Sequence, residues 1–433
     1  MKFSVIIPTY NHCDDLLKPC VEAIIKYTNL EDIELIIVAN GCYDETKEYL
    51  TYLESYFSRT NIGAFKSLYF EAPLGYSKAN NAAIRVATTD KLILLNNDAF
   101  LLGQDKSTWL RMLDGPFQRD PNCGISYVLK AFSDCAGHDF AVFFCVIVHR
   151  KVFDKLGTLL NEEYGKGGGE DTELCIEAQR AGFTMLQCGE QTWSSSIGMN
   201  TGAFPIYHKG EGTVHDKSLV PDWNDVFARN SLKLAKKYNP QWYRYKLTNS
   251  YERSVILKGD MIHGAELTRY LYAKQNILGS KILEIGCSSG YGSSFFPDAD
   301  YTGIDYDPVI IEVATEQNWS PTAKFHWADI NNYVFDQYDT IIAFEVIEHL
   351  DNGLEVAEML KKHCKRLLLT VPHEEPPGFF GGHHKLHKLN ESHLPGFEYS
   401  YISCGNSQVT DTLTPISDQN PFNLLLCKWT KPE

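Results

Sequence analysis

Three short stretches of this 433-residue chain carry side chains able to do chemistry. In the first, the apolar run at residues 92–95 (LILL) passes straight into Asn96, Asn97 and Asp98. Amides and a carboxylate leaving a buried parallel strand at its carboxyl edge point into a crevice, where a metal and a diphosphate can sit. The same triplet also suits a plain turn, because Asn and Asp bond their own backbone. In the second stretch, Gly167, Gly168 and Gly169 precede Glu170 and Asp171. A flexible run lets backbone and substrate approach closely, and the acids also suit a helix N-terminus, where negative charge is favourable; the two readings are compatible. In the third, a strand at 281–285 (KILEI) enters the glycine-rich turn GCSSGYG at 286–292, and Asp305 ends the next strand, nineteen positions after Gly286. That is the spacing at which an acid meets ribose hydroxyls, in a dinucleotide or an adenosyl cofactor.

These groups need strands that end together. Residues 3–8 (FSVIIP) form a buried strand, and Asp14 or Asp15 can cap a helix running to about Lys26. Residues 34–39 (ELIIVA) make a second strand, Asn40-Gly41 a turn, and a helix opens near Asp44. A short strand at 68–70 follows, then a helix with Ala79, Ala82, Ala83 and Ile84 on one face and with Asn80 and Asn81 as surface residues or ligand contacts. Strand and helix alternating at this spacing predict a parallel sheet. A helix at 222–238 closes this domain at Asn239-Pro240, and the basic aromatic stretch WYRYK at 242–246 reads as a solvated linker. Beyond it come a helix at 264–275, the strand 281–285 and closing strands near 397–403 and 422–428. The fold class is α/β in two domains, 1–240 and 263–433, joined by a linker at 241–262.

Hydrophobic content of 44% and charged content of 22% are those of a globular chain able to bury two cores. A formal charge of -15 without any basic block argues against nucleic acid as a partner. The 12 cysteines include no CxxC pair, and no leader-like segment precedes the first strand at Phe3, so a cytoplasmic location is expected. No apolar run reaches the roughly 18 residues of a membrane span, which leaves only peripheral membrane contact open.

The segments SVIIPTYNH (4–12), LIIVANGCYDET (35–46), LGYSKANNAAI (74–84), LILLNNDA (92–99) and GGEDTELCIEAQRAGF (168–183) occur in an order that resembles family 2 glycosyltransferases of the GT-A fold, over about residues 1–240. The resemblance implies a nucleotide-sugar donor, a divalent metal (Mn or Mg) and inversion at the anomeric carbon. By position it implies Asp98 as a metal ligand, with Asn97 on the same donor shelf, and His208 in YHKGEGT as the second ligand, His215 being its rival. It implies Asp171 as the base that takes the acceptor proton, Glu170 beside it in the acceptor pocket, and Pro8, Tyr10 and Asn40 at the nucleobase and ribose. Two departures stand out: the triplet has a single acid, and Asn40 with Ala39 replaces the more usual acid. QWYRY at 241–245 nearly matches the motif of processive members, but it lies far past Glu170-Asp171, so one sugar per visit is expected.

The segments LEIGCSSGYGSSFF (283–296), YTGIDYDP (301–308), ADI (328–330), YDTIIAFEVIEHL (338–350) and LLLTVPH (367–373) resemble class I methyltransferases dependent on S-adenosylmethionine, over about 255–433. This implies a Rossmann-like domain in which Glu284, Gly286 and Gly290 border the methionine portion, Asp305 the ribose, Asp329 the adenine, and Glu345 lies beside the transferring methyl. Ser288 stands where the second motif glycine is usual. His349 and His373 are the candidate bases for a hydroxyl acceptor. In GHHKLHKLNESH (382–393), His383 and His387 would share a face if helical and so permit a metal, although a substrate-covering loop is the simpler expectation. Together the domains suggest a bifunctional glycan-modifying enzyme, transferring a sugar to a glycan or lipid-linked acceptor and methylating a sugar hydroxyl. A non-catalytic methyltransferase-like module, or a scaffold in surface-polysaccharide assembly, are the alternatives.

Overall fold

The computed structural model describes residues 2–189, 191–194, 199–210, 222–249, 254–380 and 382–432. It divides into two compact units, Met1–Arg244 and Tyr245–Glu433, each built on its own α/β sheet.

The first unit opens with β1 (Phe3–Thr9), α1 (Lys18–Tyr27), β2 (Ile33–Asn40), α2 (Thr46–Thr60), β3 (Ala64–Phe70), α3 (Tyr76–Val86) and β4 (Lys91–Leu95). It continues through β5 (Ala99–Leu101), α4 (Thr108–Arg119), β6 (Cys123–Tyr127), the hairpin β7 (Lys130–Ser133) and β8 (His138–Ala141), and β9 (Cys145–His149). Then come α5 (Arg150–Leu156), α6 (Glu170–Arg180), β10 (Thr184–Gln187), β11 (Gln191–Ser194), β12 (Met199–Gly202), β13 (Ile206–His208), α7 (Trp223–Tyr238) and α8 (Pro240–Thr248). The sheet order is β10-β6-β9-β4-β1-β2-β3. Strands β3, β2, β1 and β4 are parallel, and β9 runs antiparallel between β4 and β6. The chain order reverses between β1 and β4, the point at which open α/β sheets take their ligands.

Burial on both faces explains the unbroken apolar run of β4. Ile93 and Leu95 join the core that includes Leu17, Val21 and Trp109, whereas Leu92 and Leu94 join the opposite core with Ala79, Ala83 and Leu174. Burying such side chains contributes about 1.5–3 kcal/mol each.

In the second unit, α9 (Gly264–Asn276) precedes β14 (Lys281–Ile285), β15 (Asp300–Asp305), α10 (Pro308–Gln317), β16 (Lys324–Trp327), β17 (Tyr338–Phe344), α11 (Gly353–Leu360), β18 (Cys364–Pro372), β19 (Glu398–Ser403), β20 (Val409–Thr410) and β21 (Asn423–Thr430). Its sheet order is β16-β15-β14-β17-β18-β21-β19-β20. The strands from β16 to β18 are parallel, and β21 is antiparallel to β18 and β19. Here the order reverses between β14 and β17.

Some local expectations are corrected. Neither Asp14 nor Asp15 caps the first helix: the chain enters through a π-type turn, Cys13–Leu17, behind His12 at a left-handed φ of 56°. The Cys13 N–H is instead taken by Asp44 Oδ2 at 2.9 Å, from across the sheet edge. Strand β3 begins at Ala64 rather than Leu68, because an edge strand tolerates polar residues; Lys66 reaches the buried Glu34 carboxylate at 3.0 Å. The WYRYK stretch is helical, within α8. Residues 382–390 of the histidine-rich segment are not helical, so His383 and His387 share no helical face. Among the described residues, no helix is long and apolar enough to cross a membrane.

Candidate functional site

In the first unit a short antiparallel pair follows the carboxyl end of β4. Strand β13 lies against β5 in a register that sets His208 opposite Ala99, beside Asp98. His208 Nε2 comes to 3.2 Å from Asp98 Oδ1, with both side chains buried. The imidazole is stacked on Phe144, ring centroids 4.2 Å apart, and Lys209 N donates to the Asp98 carbonyl at 3.0 Å. A carboxylate oxygen and an imidazole nitrogen converging at a strand edge are a donor pair suited to a divalent metal. His215 lies outside the described residues.

The acids of the second motif stand at the start of α6. Gly167, Gly168 and Gly169 all adopt positive φ, and a Cβ on Gly169 would fall 2.6 Å from the Tyr164 ring. Glu170 and Asp171 therefore begin α6 with Gly169 as N-cap, and neither acid caps the helix. Burial and then the Asp171 charge raise the Glu170 carboxyl. Burial also raises Asp171, while hydrogen bonds from Thr172 and the Phe143 backbone draw it back, so Glu170 holds its proton more firmly. Asp171 is the partly exposed one of the two. Tyr76 links the acids to Asp98: its hydroxyl donates to Phe143 O at 2.8 Å, and Glu170, Asp171 and Asp98 all act electrostatically upon it.

The other predicted residues of this unit divide. Pro8 and Tyr10 lie partly exposed at the end of β1. Asn97 is buried and donates to Thr9 Oγ1 at 3.0 Å, which fixes the shelf. The side chain of Asn40 is committed to the 74–75 loop, accepting from Leu74 N at 2.7 Å. Asn80 and Asn81 are not surface residues. Asn81 donates to Leu160 O at 2.8 Å and is a structural clamp, whereas Asn80 is buried with its Oδ1 unbonded. Ser77 Oγ, Asn11 Nδ2, Asn96 Oδ1 and Glu170 Oε2 are likewise buried and unbonded among the described residues. Buried polar atoms normally find partners, so this set fits a polar ligand such as a nucleotide-sugar.

In the second unit a cavity of about 320 Å3 opens at the β14/β17 switch point, lined among others by Arg269, Gly286, Ser288, Glu345, His349 and His384. Gly286 takes φ 70°, and a Cβ there would stand 2.7 Å from Val346. Ser288 holds φ 48°, a left-handed conformation costly for a non-glycine residue. Its hydroxyl donates to Ser254 O at 2.9 Å, and its N–H donates to Asp305 Oδ2 at 3.1 Å. Asp305 thus stands at the edge of β15 beside the turn, and the exposed Asp329 follows close by, since Ala328 N donates to Asp305 O at 3.0 Å. Glu345, also left-handed at φ 54°, is raised by burial and drawn back by the Arg269 charge.

Glu284, Gly290 and His373 do not line this cavity. Glu284 shares the β14 face of Ile282 and turns inward, where Tyr270 and Tyr301 donate to its carboxylate; burial raises it to about 8. Gly290 is fixed by packing, because a Cβ would lie 2.6 Å from Phe325 Cζ. His373 pairs with Glu391 at 3.3 Å and does not line the cavity, whereas His349 does. Sequence reasoning missed Arg269, a buried arginine on α9 whose Nη2 lies 3.4 Å from the Tyr291 hydroxyl. An arginine among the apolar positions of a helix was the available signal. It also missed Tyr76, which the first unit's motif contains.

Residues 4–140 match the family model described as glycosyl transferase family 2, and residues 261–402 match one described as a methyltransferase domain. An uncharacterized protein of Sinorhizobium fredii is 27% identical over 216 residues, covering 42% of this chain and 23% of its own. An O-antigen biosynthesis protein of Myxococcus xanthus is 24% identical over 227 residues, covering 44% of this chain and 17% of its own. A malonyl-[acyl-carrier protein] O-methyltransferase of Bacillus cytotoxicus is 35% identical over 89 residues, covering 19% of this chain and 31% of its own. The chain thus spans less than a third of the length of each of these curated relatives.

Proposed function

The chain carries a family 2 glycosyl transferase domain followed by a methyltransferase domain, and on that premise we propose that it is a bifunctional glycan-modifying enzyme. The first domain transfers a sugar from a nucleotide-sugar to a glycan or lipid-linked acceptor with inversion. The second methylates a sugar hydroxyl with S-adenosylmethionine. The observation that carries this reading is the 3.2 Å approach of His208 to Asp98, with Tyr76 under the influence of Asp98, Glu170 and Asp171 alike. When bound there, a divalent metal such as Mn2+ would offset the charge of a departing nucleoside diphosphate. Asp171 takes the acceptor proton, being the more readily ionised acid of the pair, while the more deeply buried Glu170 keeps its proton and donates to the acceptor. Pro8, Tyr10 and Asn97 border the donor, with Asn40 shaping the loop behind it.

In the second domain Gly286, Ser288 and Asp305 receive the adenosyl cofactor, with Asp329 toward the adenine and Glu345 toward the reacting end. Methyl transfer is an in-line displacement that depends on positioning, and His349 lies in the cavity where an acceptor hydroxyl would need a base. The name of the Myxococcus xanthus relative supports a surface polysaccharide as the acceptor class. The strained Ser288 favours a second reading, a methyltransferase-like module without turnover. Calorimetry separates the two, since that module would bind neither S-adenosylmethionine nor its demethylated product. For the first domain the test is a thermal-shift screen of nucleotide-sugars with manganese. The proposal predicts stabilisation by one donor class that is lost in Asp98→Ala; no stabilisation by any donor would contradict it.

A further inference from the structure

The methyltransferase unit contains a group of side chains of which the reading above uses only His349, there as a base and not as a ligand. Glu348 and His349 are neighbours on the single turn Ile347–His349, which follows β17. The histidine-rich segment is bound back to that turn, with Lys385 N and Leu386 N donating to the Glu348 carbonyl at 2.7 and 3.0 Å. This brings His384 over it. One ligand atom from each of Glu348, His349 and His384 lies within 4.8 Å of the others, and the two imidazoles meet edge to face with centroids 4.6 Å apart.

Two independent observations point to a cation. Glu348 is fully buried, and neither carboxylate oxygen has a hydrogen-bond partner among the described residues. An uncompensated buried carboxylate is costly, and protonation does not resolve it, because a neutral carboxyl still brings one donor and an acceptor. The second observation is the bracing of His384: its Nδ1 lies 2.6 Å from Oε2 of the buried Glu375. With the proton on Nδ1, Nε2 is left as a lone pair, the arrangement by which carboxylates orient metal-binding histidines.

We propose that Glu348, His349 and His384 form a divalent metal site, distinct from the Asp98–His208 pair, whose open position faces the cavity and binds oxygens of the methyl acceptor. Two nitrogens and a carboxylate suit Zn2+, Co2+ or Mn2+ better than Mg2+ or Ca2+. His349 and His384 line the cavity that Gly286, Ser288 and Glu345 also line. A cation there would hold neighbouring hydroxyls of a sugar in place and acidify one of them. The role assigned to the cavity rests on the methyltransferase reading; the metal site itself does not.

The test is a Co2+ titration of the full chain carrying Asp98→Ala, which silences the first unit, followed by visible absorption. A nitrogen-ligated Co2+ band that saturates at one ion per chain is expected, with affinity falling roughly tenfold or more in Glu348→Gln and in His384→Gln. His384 is partly exposed and offers the milder substitution. Absence of the band, or a band unchanged by both substitutions, overturns the proposal. Binding of S-adenosylhomocysteine by calorimetry, measured in the same proteins, reports the cofactor reading separately. A cobalt band without that binding would uphold the site and remove the methyl acceptor from it.

Discussion

Asp98 and His208 meet only because β13 returns to pair with β5, so neither the strand nor the histidine makes the donor pair alone. Asp98→Ala is expected to lower manganese-dependent turnover of the nucleotide-sugar about a hundredfold or more, and His208→Ala to raise the manganese concentration needed for half-maximal rate. A donor turnover assay across a manganese titration checks both. The acids respond to pH with a definite sign. A base works when deprotonated, and burial has raised Asp171, so kcat/KM should fall on the acid side at a pH above the ordinary Asp range of about 3.9. Asp171→Asn should cost roughly 10^2 to 10^4 in rate. Glu170→Gln, which keeps a hydrogen-bond donor, should retain more activity at neutral pH. The resemblance singles out Asp98, His208, Glu170 and Asp171 for the proposed site, and the structure brings Asp98 and His208 together. Tyr76, Arg269, Glu348 and His384 were not legible in the sequence, since their importance lies in what the fold sets beside them.

Strands β1, β4 and β14 were plain in the sequence for a physical reason: burial on both faces requires an apolar residue at nearly every position. Polar residues inside elements are harder to place from the pattern alone, for the complementary reason. Glu284, placed by motif position at the cofactor, is held beneath the glycine-rich turn by Tyr270 and Tyr301. Its folded value of about 8 lies above the unfolded value near 4.5. The folded state therefore binds the proton more tightly, and that contribution is complete below about pH 4.5 and lost as pH rises toward 8. Over that window the stability of the wild type should decline relative to Glu284→Gln by on the order of a few kcal/mol, visible as converging or crossing melting temperatures. Gly290→Ala should destabilise this unit by about 1–3 kcal/mol through overpacking against Phe325, with a further cost for a side chain at φ 75°. Urea unfolding followed by a probe in the second unit reads that loss.

At the scale of the whole chain, a stretch matching family 2 glycosyl transferases and one matching a methyltransferase domain stand in one polypeptide, each with polar residues at the switch point of its own sheet. Covalent linkage raises the local concentration of one domain's product near the other, which would give the proposed sequential modification of one glycan its physical advantage. That two domains follow one another was readable from the repeated passage of strand into acid- or glycine-rich turn. The acceptor was not, because side chains distant in sequence are brought together only by the fold, as the approach of His384 to Glu348 illustrates. The most direct measurement is mass spectrometry of surface-polysaccharide fragments incubated with the full chain, a panel of nucleotide-sugars and methyl-labelled S-adenosylmethionine. The account predicts a fragment extended by one sugar and carrying the labelled methyl, with both additions lost in Asp98→Ala; methyl label that enters fragments irrespective of the added sugar would contradict it.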